Sequence, residues 1–120
     1  MVQLSNITRE CIDICTECAN VCAQTMAYCM RQGGHHVEAS HLTLLIDCAQ
    51  VCRISADFMS RDSNFDARIC EICAEICWQC AEDCGGFSGD SQMQSCADTC
   101  RRCANTCRRC ANTCRRMALA

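Results

Sequence analysis

The sequence predicts an all-α protein: an antiparallel up-and-down four-helix bundle with a cysteine-lined core, built as a single domain over residues 1–120. Three observations favour this fold class. The chain has no proline, its five glycines fall in only three places, and most of its 18 cysteines recur at steps of three and four residues. Long helices joined by short turns pack as antiparallel neighbours, which is the topology of an up-and-down bundle.

Start and stop signals divide the chain into four helical segments. Gly33-Gly34 and Gly85-Gly86 suit helix C-termini, Asp62-Ser63-Asn64 suits a turn and an N-cap, and Ser91 with Gln94 suits a capping box. The predicted helices cover about residues 4–32, 37–61, 65–85 and 91–117.

Cysteines mark the inward face of three of these helices. Their steps of three and four residues match the a/d spacing of a buried bundle seam. They are Cys11, Cys15, Cys18, Cys22 and Cys29 in the first helix, Cys70, Cys73, Cys77, Cys80 and Cys84 in the third, and Cys96, Cys100, Cys103, Cys107, Cys110 and Cys114 in the fourth. The second helix is different, because only two thiols lie on its seam. That seam reads His41, Leu45, Cys48, Cys52, Ser55, Met59.

A repeated heptad lengthens the fourth helix. The segment RRCANTC at 101–107 recurs unchanged at 108–114. Seven residues add about two helical turns, or roughly 10 Å, and keep the seam in phase. The repeat therefore predicts a longer cysteine-lined core. The alanines beside this seam predict a small-residue stripe that lets the fourth helix approach its neighbours closely, and they are Ala97, Ala104, Ala111 and Ala118.

Charge and the first residues indicate where the protein works. The chain has no lysine and a net charge of −3, which argues against a nucleic-acid partner. The arginines of the fourth helix are expected to pair with acids elsewhere in the molecule. No apolar run is long enough for a membrane span. Residues 1–10 lack the features of an export signal, so we expect a cytoplasmic protein whose thiols are free for metal or redox chemistry.

The inward thiols predict a metal core. Residues three or four apart on one helix face have Cβ atoms about 5–6 Å apart, and facing helices offer a second set of sulfurs, so each thiolate can bridge two ions. Soft thiolates select Cu(I), as do the thioethers of Met59, Met93 and Met117, which fall in the seam register. One buried cysteine is usually a small core residue, and one methionine is usually core filler. Sixteen cysteines on the seams of the first, third and fourth helices, and two more on the seam of the second, are not explained in that way.

The pattern resembles that of the cytosolic copper storage proteins. The motifs are C-x-x-x-C-x-x-C-x-x-x-C at 11–22, ICEICAEICWQCAEDC at 69–84, and SCADTCRRCANTC at 95–107 leading to CRRM at 114–117. The resemblance covers essentially the whole chain. It implies a four-helix bundle that stores and detoxifies Cu(I), with about one ion per cysteine held by bridging thiolates, all 18 cysteines as ligands, and a homo-tetramer. A copper chaperone or an apo-cuproprotein would then exchange copper with the store. The repeated heptad departs from the usual CRRM ending.

Histidines predict an entrance at one end of the bundle. His35, His36 and His41 fall at the turn between the first two helices, and His41 lies on the seam. This topology places them at the end that also holds Cys29, Cys84 and Met93. His41 is the favoured ligand, whereas His35 and His36 are either entrance ligands or solvated turn residues.

Other classes of protein remain open at this point. A zinc or cadmium buffer of the metallothionein type would bind at most one ion per four thiolates. An iron–sulfur or redox protein would gather four cysteines in a compact run, and a disulfide-bonded bundle would have no free thiols. No nucleophile is spaced beside an oriented base, so the sequence predicts a binding protein and not an enzyme.

Overall fold

A computed structural model describes the backbone of residues 4–119 and the side chains of residues 4–116. Four α-helices follow one another, with a short 3₁₀ helix at Gly34–Val37 between the first two. The helices are α1 (Asn6–Gln32), α2 (Ala39–Ser60), α3 (Asp66–Gly85) and α4 (Ser91–Leu119). Each helix packs against its neighbours in the chain, and α1 also packs against α4. The bundle measures 50 × 22 × 21 Å, and the predicted up-and-down topology is confirmed.

Local capping explains where α1 begins and ends. The Ser5 hydroxyl accepts a hydrogen bond from the backbone N–H of Thr8 at 3.2 Å, which satisfies one of the free donors of the first turn. Gly33 ends the helix with φ 72°, and its N–H donates to the carbonyl of Cys29. A positive φ is strained for most side chains, so glycine suits this position.

The capping box predicted for α4 was wrong. Asp90 caps the helix, because its Oδ1 accepts from the backbone N–H of Met93 at 3.2 Å. The Gln94 side chain donates to the carbonyls of Gly85 and Phe87, at 3.1 and 2.8 Å. Gln94 thus ties the loop between α3 and α4 to the helix. The carboxylate of Asp90 is a strong acceptor next to the positive end of the helix dipole, and it replaces the hydroxyl of Ser91 as the cap.

Sulfur fills most of the core. The largest fully buried side chains are Leu45, Met59, Met93, Thr25 and a series of cysteines. A cysteine occupies less volume than the leucine usual at such positions, so the apo core gains little from apolar burial. A ligand that binds only the folded state would add the missing stability.

Small residues bring α3 and α4 together. Ala97, Ala104 and Ala111 are each 1% exposed, whereas the predicted continuation at Ala118 lies outside the described side chains. A Cβ placed on Gly85 would lie 3.9 Å from the Cβ of Ala97, which is ordinary contact distance. The predicted close approach of α4 is therefore confirmed over the described part of the stripe.

Three of the six arginines of α4 pair with acids on other helices, as expected. The pairs are Arg102 with Glu17 at 3.2 Å, Arg109 with Glu10 at 3.6 Å, and Arg115 with Glu71. Pairs this exposed contribute only about 0–1 kcal/mol each. None of the helices within residues 4–119 combines the length and the apolar character needed to cross a membrane.

One buried carboxyl group opposes folding at neutral pH. Asp66, in the first turn of α3, is 5% exposed, and its Oδ1 has no hydrogen-bond partner among the described residues. Burial raises the pKa of Asp66 to about 6, with further contributions from the negative charges of Asp62 and Cys110. The folded state therefore holds this proton more tightly than the unfolded chain does.

Overpacking the alanine stripe tests the close approach of α4. We expect Ala104→Leu to lower the free energy of unfolding of the reduced apo-protein by about 1–3 kcal/mol, because the added atoms have no space between the helices. Urea unfolding under anaerobic conditions measures this change. Asn105→Leu, on the adjacent exposed position, is the control. Equal stability of the two variants would show that the stripe is not tightly packed.

The carboxyl of Asp66 gives a pH-dependent prediction. Its stabilising contribution is fully present below the usual pKa near 3.8 and is lost as the pH rises through about 6. Asp66→Asn should therefore increase the free energy of unfolding by about 1–2 kcal/mol at pH 8 and change it little at pH 4. Urea unfolding of the apo-protein at both pH values measures this, with the exposed Asp57→Asn as control. A gain that is independent of pH would contradict the explanation.

Candidate metal centre

The thiols form one column along the axis of the bundle. All 18 cysteines are free, 17 of them are buried, and Cys114 is half-buried. The prediction that the seam cysteines point inward is confirmed for all but this last thiol. The second helix contributes Cys48 and Cys52, which are both fully buried.

Sulfur atoms from all four helices meet near the middle of the column. The Sγ of Cys15 on α1 lies 3.9 Å from that of Cys73 on α3 and 3.8 Å from that of Cys103 on α4. The Sγ of Cys52 on α2 lies 3.8 and 3.7 Å from the same two atoms. One ion placed between them would be within reach of four thiolates.

Neighbouring sulfur sets share members. The cysteines form five sets, and within each set every Sγ atom lies within 4.8 Å of the others. The sets are Cys15, Cys52, Cys73 and Cys103; Cys18, Cys22, Cys48 and Cys100; Cys18, Cys48, Cys52 and Cys77; Cys11, Cys70 and Cys110; and Cys11, Cys15 and Cys107. The shared residues are Cys11, Cys15, Cys18, Cys48 and Cys52. The centre is therefore a continuous array of sulfur and not a series of separate four-ligand sites.

Mutual hydrogen bonds distribute the protons unevenly. Hydrogen bonds with Cys103 and Cys107 lower the pKa of Cys15 to about 3. Hydrogen bonds with Cys100 and Cys18 raise the pKa of Cys22, and burial raises it further. A thiol that donates to a neighbouring thiolate stabilises that negative charge and keeps its own proton. Metal binding has to displace the retained protons, so loading depends on pH.

His41 lies at the end of the column, where the seam register predicts it. It is 3% exposed, and its Nδ1 donates a hydrogen bond to the carboxylate of Asp83. Its Nε2 lies 3.4 Å from the Sγ of Cys29, which in turn lies 3.7 Å from the Sδ of Met93. A carboxylate on one ring nitrogen that leaves the other free for a metal is the usual arrangement around histidine ligands. Burial, together with the negative charges of Cys96, Asp90 and Asp83, raises the pKa of Cys29 to about 11.

The other two histidines have different surroundings. His36 donates to the carboxylate of Asp90 at 2.8 Å, and its ring lies 4.6 Å from that of Phe87, centroid to centroid. The Phe87 ring lies 4.9 Å from the ring of His41 and thus separates the two imidazoles. The side chain of His35 is 91% exposed and pairs with Glu38, so it is a solvated turn residue.

Sequence reasoning missed three residues at this end: Asp83, Phe87 and Asp90. None of them lies on a cysteine seam, and only the folded chain brings them to the histidines. One signal was available for Asp83, because an acidic residue directly before Cys84 lies at the helix end that the histidines share. The hydroxyl of Tyr28 also donates a hydrogen bond to Asp90, at 2.8 Å.

The opposite end of the column is rich in sulfur. The thioether Sδ of Met59 lies 3.6 Å from the Sγ of Cys70 and 3.7 Å from that of Cys110. Cys110 is 3.9 Å from Cys114, one turn further along α4. Met59 and Met93 therefore both contact thiols at the ends of the column, as their register predicts. Met117 lies outside the described side chains.

Comparison with known proteins agrees with this geometry. The pattern of the family described as copper storage protein matches residues 5–119. Among solved structures, a protein of Nitrosospira multiformis is 41% identical with a TM-score of 0.84, and the match covers 89% of this chain and 96% of that one. A search of curated proteins gave no match.

Two copper-loaded structures are also similar. The Cu(I)-bound copper storage protein BsCsp3 is 32% identical with a TM-score of 0.82, over 88% of this chain and 99% of that one. A cytosolic copper storage protein from Streptomyces lividans, carrying five coppers, is 25% identical with a TM-score of 0.77, over 88% and 92% of the two chains. The family pattern spans almost every described residue and agrees with the fold and the thiol column, so the chain belongs to the copper storage protein family.

Proposed function

We propose that this chain is a cytoplasmic store that sequesters and detoxifies Cu(I), holding about one ion per cysteine through bridging thiolates. The observation that carries the proposal is the sharing of sulfur atoms between neighbouring sets. A shared thiolate can bind two ions, so an array of shared thiolates can bind many more ions than separate four-sulfur sites can. The ligands we propose are the 18 cysteines, with His41, Met59, Met93 and Met117 at the ends.

Charge balance supports this stoichiometry. One Cu(I) for each thiolate leaves the loaded core electrically neutral, whereas one Zn²⁺ for four thiolates leaves a charge of −2 at each site. Unbalanced charge is costly in a buried core, and all but one of these thiols are buried. Soft sulfur ligands also select Cu(I) over harder ions.

Copper would enter and leave through exchange with other thiol ligands, and no covalent chemistry is required of the protein. We therefore propose a non-enzymatic, single-domain store that assembles as a homo-tetramer and exchanges copper with a chaperone or an apo-cuproprotein. His41 and Met93 with Cys29 would form an entrance at one end, since Cys29 contacts both of the other side chains, which are weaker ligands than thiolates.

A zinc buffer is the second candidate, and one observation favours it. Cys15, Cys52, Cys73 and Cys103 supply four sulfurs from four helices, which is the ligand count of a tetrahedral zinc site. The set Cys18, Cys48, Cys52 and Cys77 overlaps the neighbouring sets, so only some of the thiols can form such sites at the same time.

Anaerobic titration of the reduced apo-protein with Cu(I), against a chromogenic chelator, distinguishes the two candidates. We expect uptake near one ion per cysteine, about 18 per chain, and displacement of any bound zinc. A parallel titration with Zn²⁺ is the control. A Cu(I) plateau at four or five ions, roughly one per four thiolates, would contradict the store and favour separate sites.

Substitution of the histidines tests the entrance. We expect His41→Ala to leave the capacity nearly unchanged and to slow the first phase of Cu(I) uptake by about twofold, because a ligand held by a carboxylate is lost. Stopped-flow transfer from the chelator complex measures the rate. His35→Ala is the matched control, since that side chain is solvated. Equal rates for the two variants would show that copper does not pass His41.

A further inference from the structure

The two ends of the column differ in the exposure of their thiols. Cys29, Cys84 and Cys96, at the histidine end, are fully buried, whereas Cys114 is half-buried and is the only described cysteine that reaches the surface. Metal arriving from solution at this end would meet Cys114 before any other thiol.

A continuous path of sulfur leads inward from that surface thiol. The Sγ of Cys114 lies 3.9 Å from the Sγ of Cys110, which lies 3.7 Å from the Sδ of Met59. Cys110 also forms a three-sulfur set with Cys11 and Cys70, and Cys11 continues to Cys107 at 3.5 Å. Each step is short enough for an ion to be held by the next sulfur before it leaves the previous one.

A buried carboxylate lies beside the outer part of this path. Asp66 is 5% exposed, and its Oδ1 has no hydrogen-bond partner among the described residues. It lies in the first turn of α3, one turn before Cys70, whose Sγ is within 4.8 Å of that of Cys110. A buried oxygen without a hydrogen-bond partner costs free energy, so its presence calls for an explanation, and a carboxylate oxygen attracts a passing cation.

We propose that this end is a second copper port, in which Cys114 receives Cu(I) and Cys110 passes it to the set of Cys11 and Cys70. This proposal rests on the proposed storage function and deepens it. The donor is a complex of Cu(I) with low-molecular-weight thiols. A bond forms between copper and the Cys114 sulfur while a bond from copper to one donor thiolate breaks, and that thiolate leaves with the Cys114 proton. Copper remains Cu(I) throughout, and the Asp66 carboxylate offsets the positive charge of the ion in transit.

The first test locates the first ion that binds. Reduced apo-protein receives one equivalent of Cu(I) as a complex with a small thiol, is alkylated for a short time, and is mapped by mass spectrometry. Without copper, we expect Cys114 to be the most reactive thiol. Shortly after one equivalent of Cu(I) is added, we expect Cys114 and Cys110 to be protected from alkylation. Protection of Cys29 with continued alkylation of Cys114 would overturn the port.

The second test measures rate with matched variants. Cys114→Ser and Cys103→Ser each remove one ligand, but only the first lies at the surface. We expect Cys114→Ser to load from the thiol complex at about half the rate of Cys103→Ser or less, because two independent ends then become one. In the His41→Ala background the difference should be larger. Equal rates in both backgrounds would overturn the proposal.

Two carboxylate variants distinguish a specific role of Asp66 in copper loading from an effect of the total negative charge at this end. Asp66→Asn should slow loading, whereas Asp62→Asn, which removes the same charge from an exposed residue at this end, should not. Asn tolerates the positive φ of 53° at position 62. Equal slowing by both would contradict the assigned role.

Failure of the port is distinguishable from failure of the store. A wild-type capacity near one ion per cysteine with no effect of these variants rejects only the port, whereas a capacity of roughly one ion per four thiolates rejects the store.

Discussion

Contact between sulfur atoms across the bundle is the interaction on which the rest of the structure depends. Thiols from four helices approach to 3.5–4.0 Å along the axis, as Cys11 does with Cys107 and Cys48 with Cys100. Such distances require helices that pack closely, and the alanines of α4 permit this. The same contacts stabilise the apo core only weakly, because a thiol is a poor hydrogen-bond donor and thiolates repel one another. Structure and metal binding are therefore linked. The close approach of the thiols stabilises the metal-free core only weakly, but it allows a soft monovalent cation to bind sulfurs of neighbouring helices.

The fold could be predicted because the spacing of the cysteines agrees with the positions of the helix-breaking residues. The absence of proline, the paired glycines and the alternation of three and four residues all predict four helices with inward thiols, and the structure confirms them. The helix start at Asp90 could not be predicted in that way. Its carboxylate caps α4 and also accepts hydrogen bonds from Tyr28 and His36, which are distant in sequence. Tertiary contacts of this kind decide between two adequate capping residues, Asp90 and Ser91, and a local motif does not record them.

The residues of the metal centre likewise fall into a predictable group and an unpredictable group. Residues on the seam, including His41 and Met59, were predictable because the heptad register assigns them to the core. Residues that act on the seam from outside it were not, since Asp83 and Asp66 belong to no repeat. Both carboxylates lie at ends of the thiol column, one hydrogen-bonded to His41 and the other one helical turn before Cys70 on α3. If copper enters at both ends, as we propose, a negative group at each end would stabilise the cation before the thiolates neutralise it inside.

The repeated heptad shows why identical sequences need not have identical roles. In the first copy, Cys103 and Cys107 face Cys15 and Cys73, because all four helices are present at that level of the bundle. The second copy extends α4 towards the level where α1 begins, α2 ends and α3 begins. Cys110 still finds Cys11, Cys70 and Met59 there, but Cys114 is left half-buried. The second copy thus adds one fully buried thiol, Cys110, and one half-buried thiol, Cys114. It leaves a half-buried thiol at the end of a sulfur path, and this thiol is the feature on which the proposed second port depends.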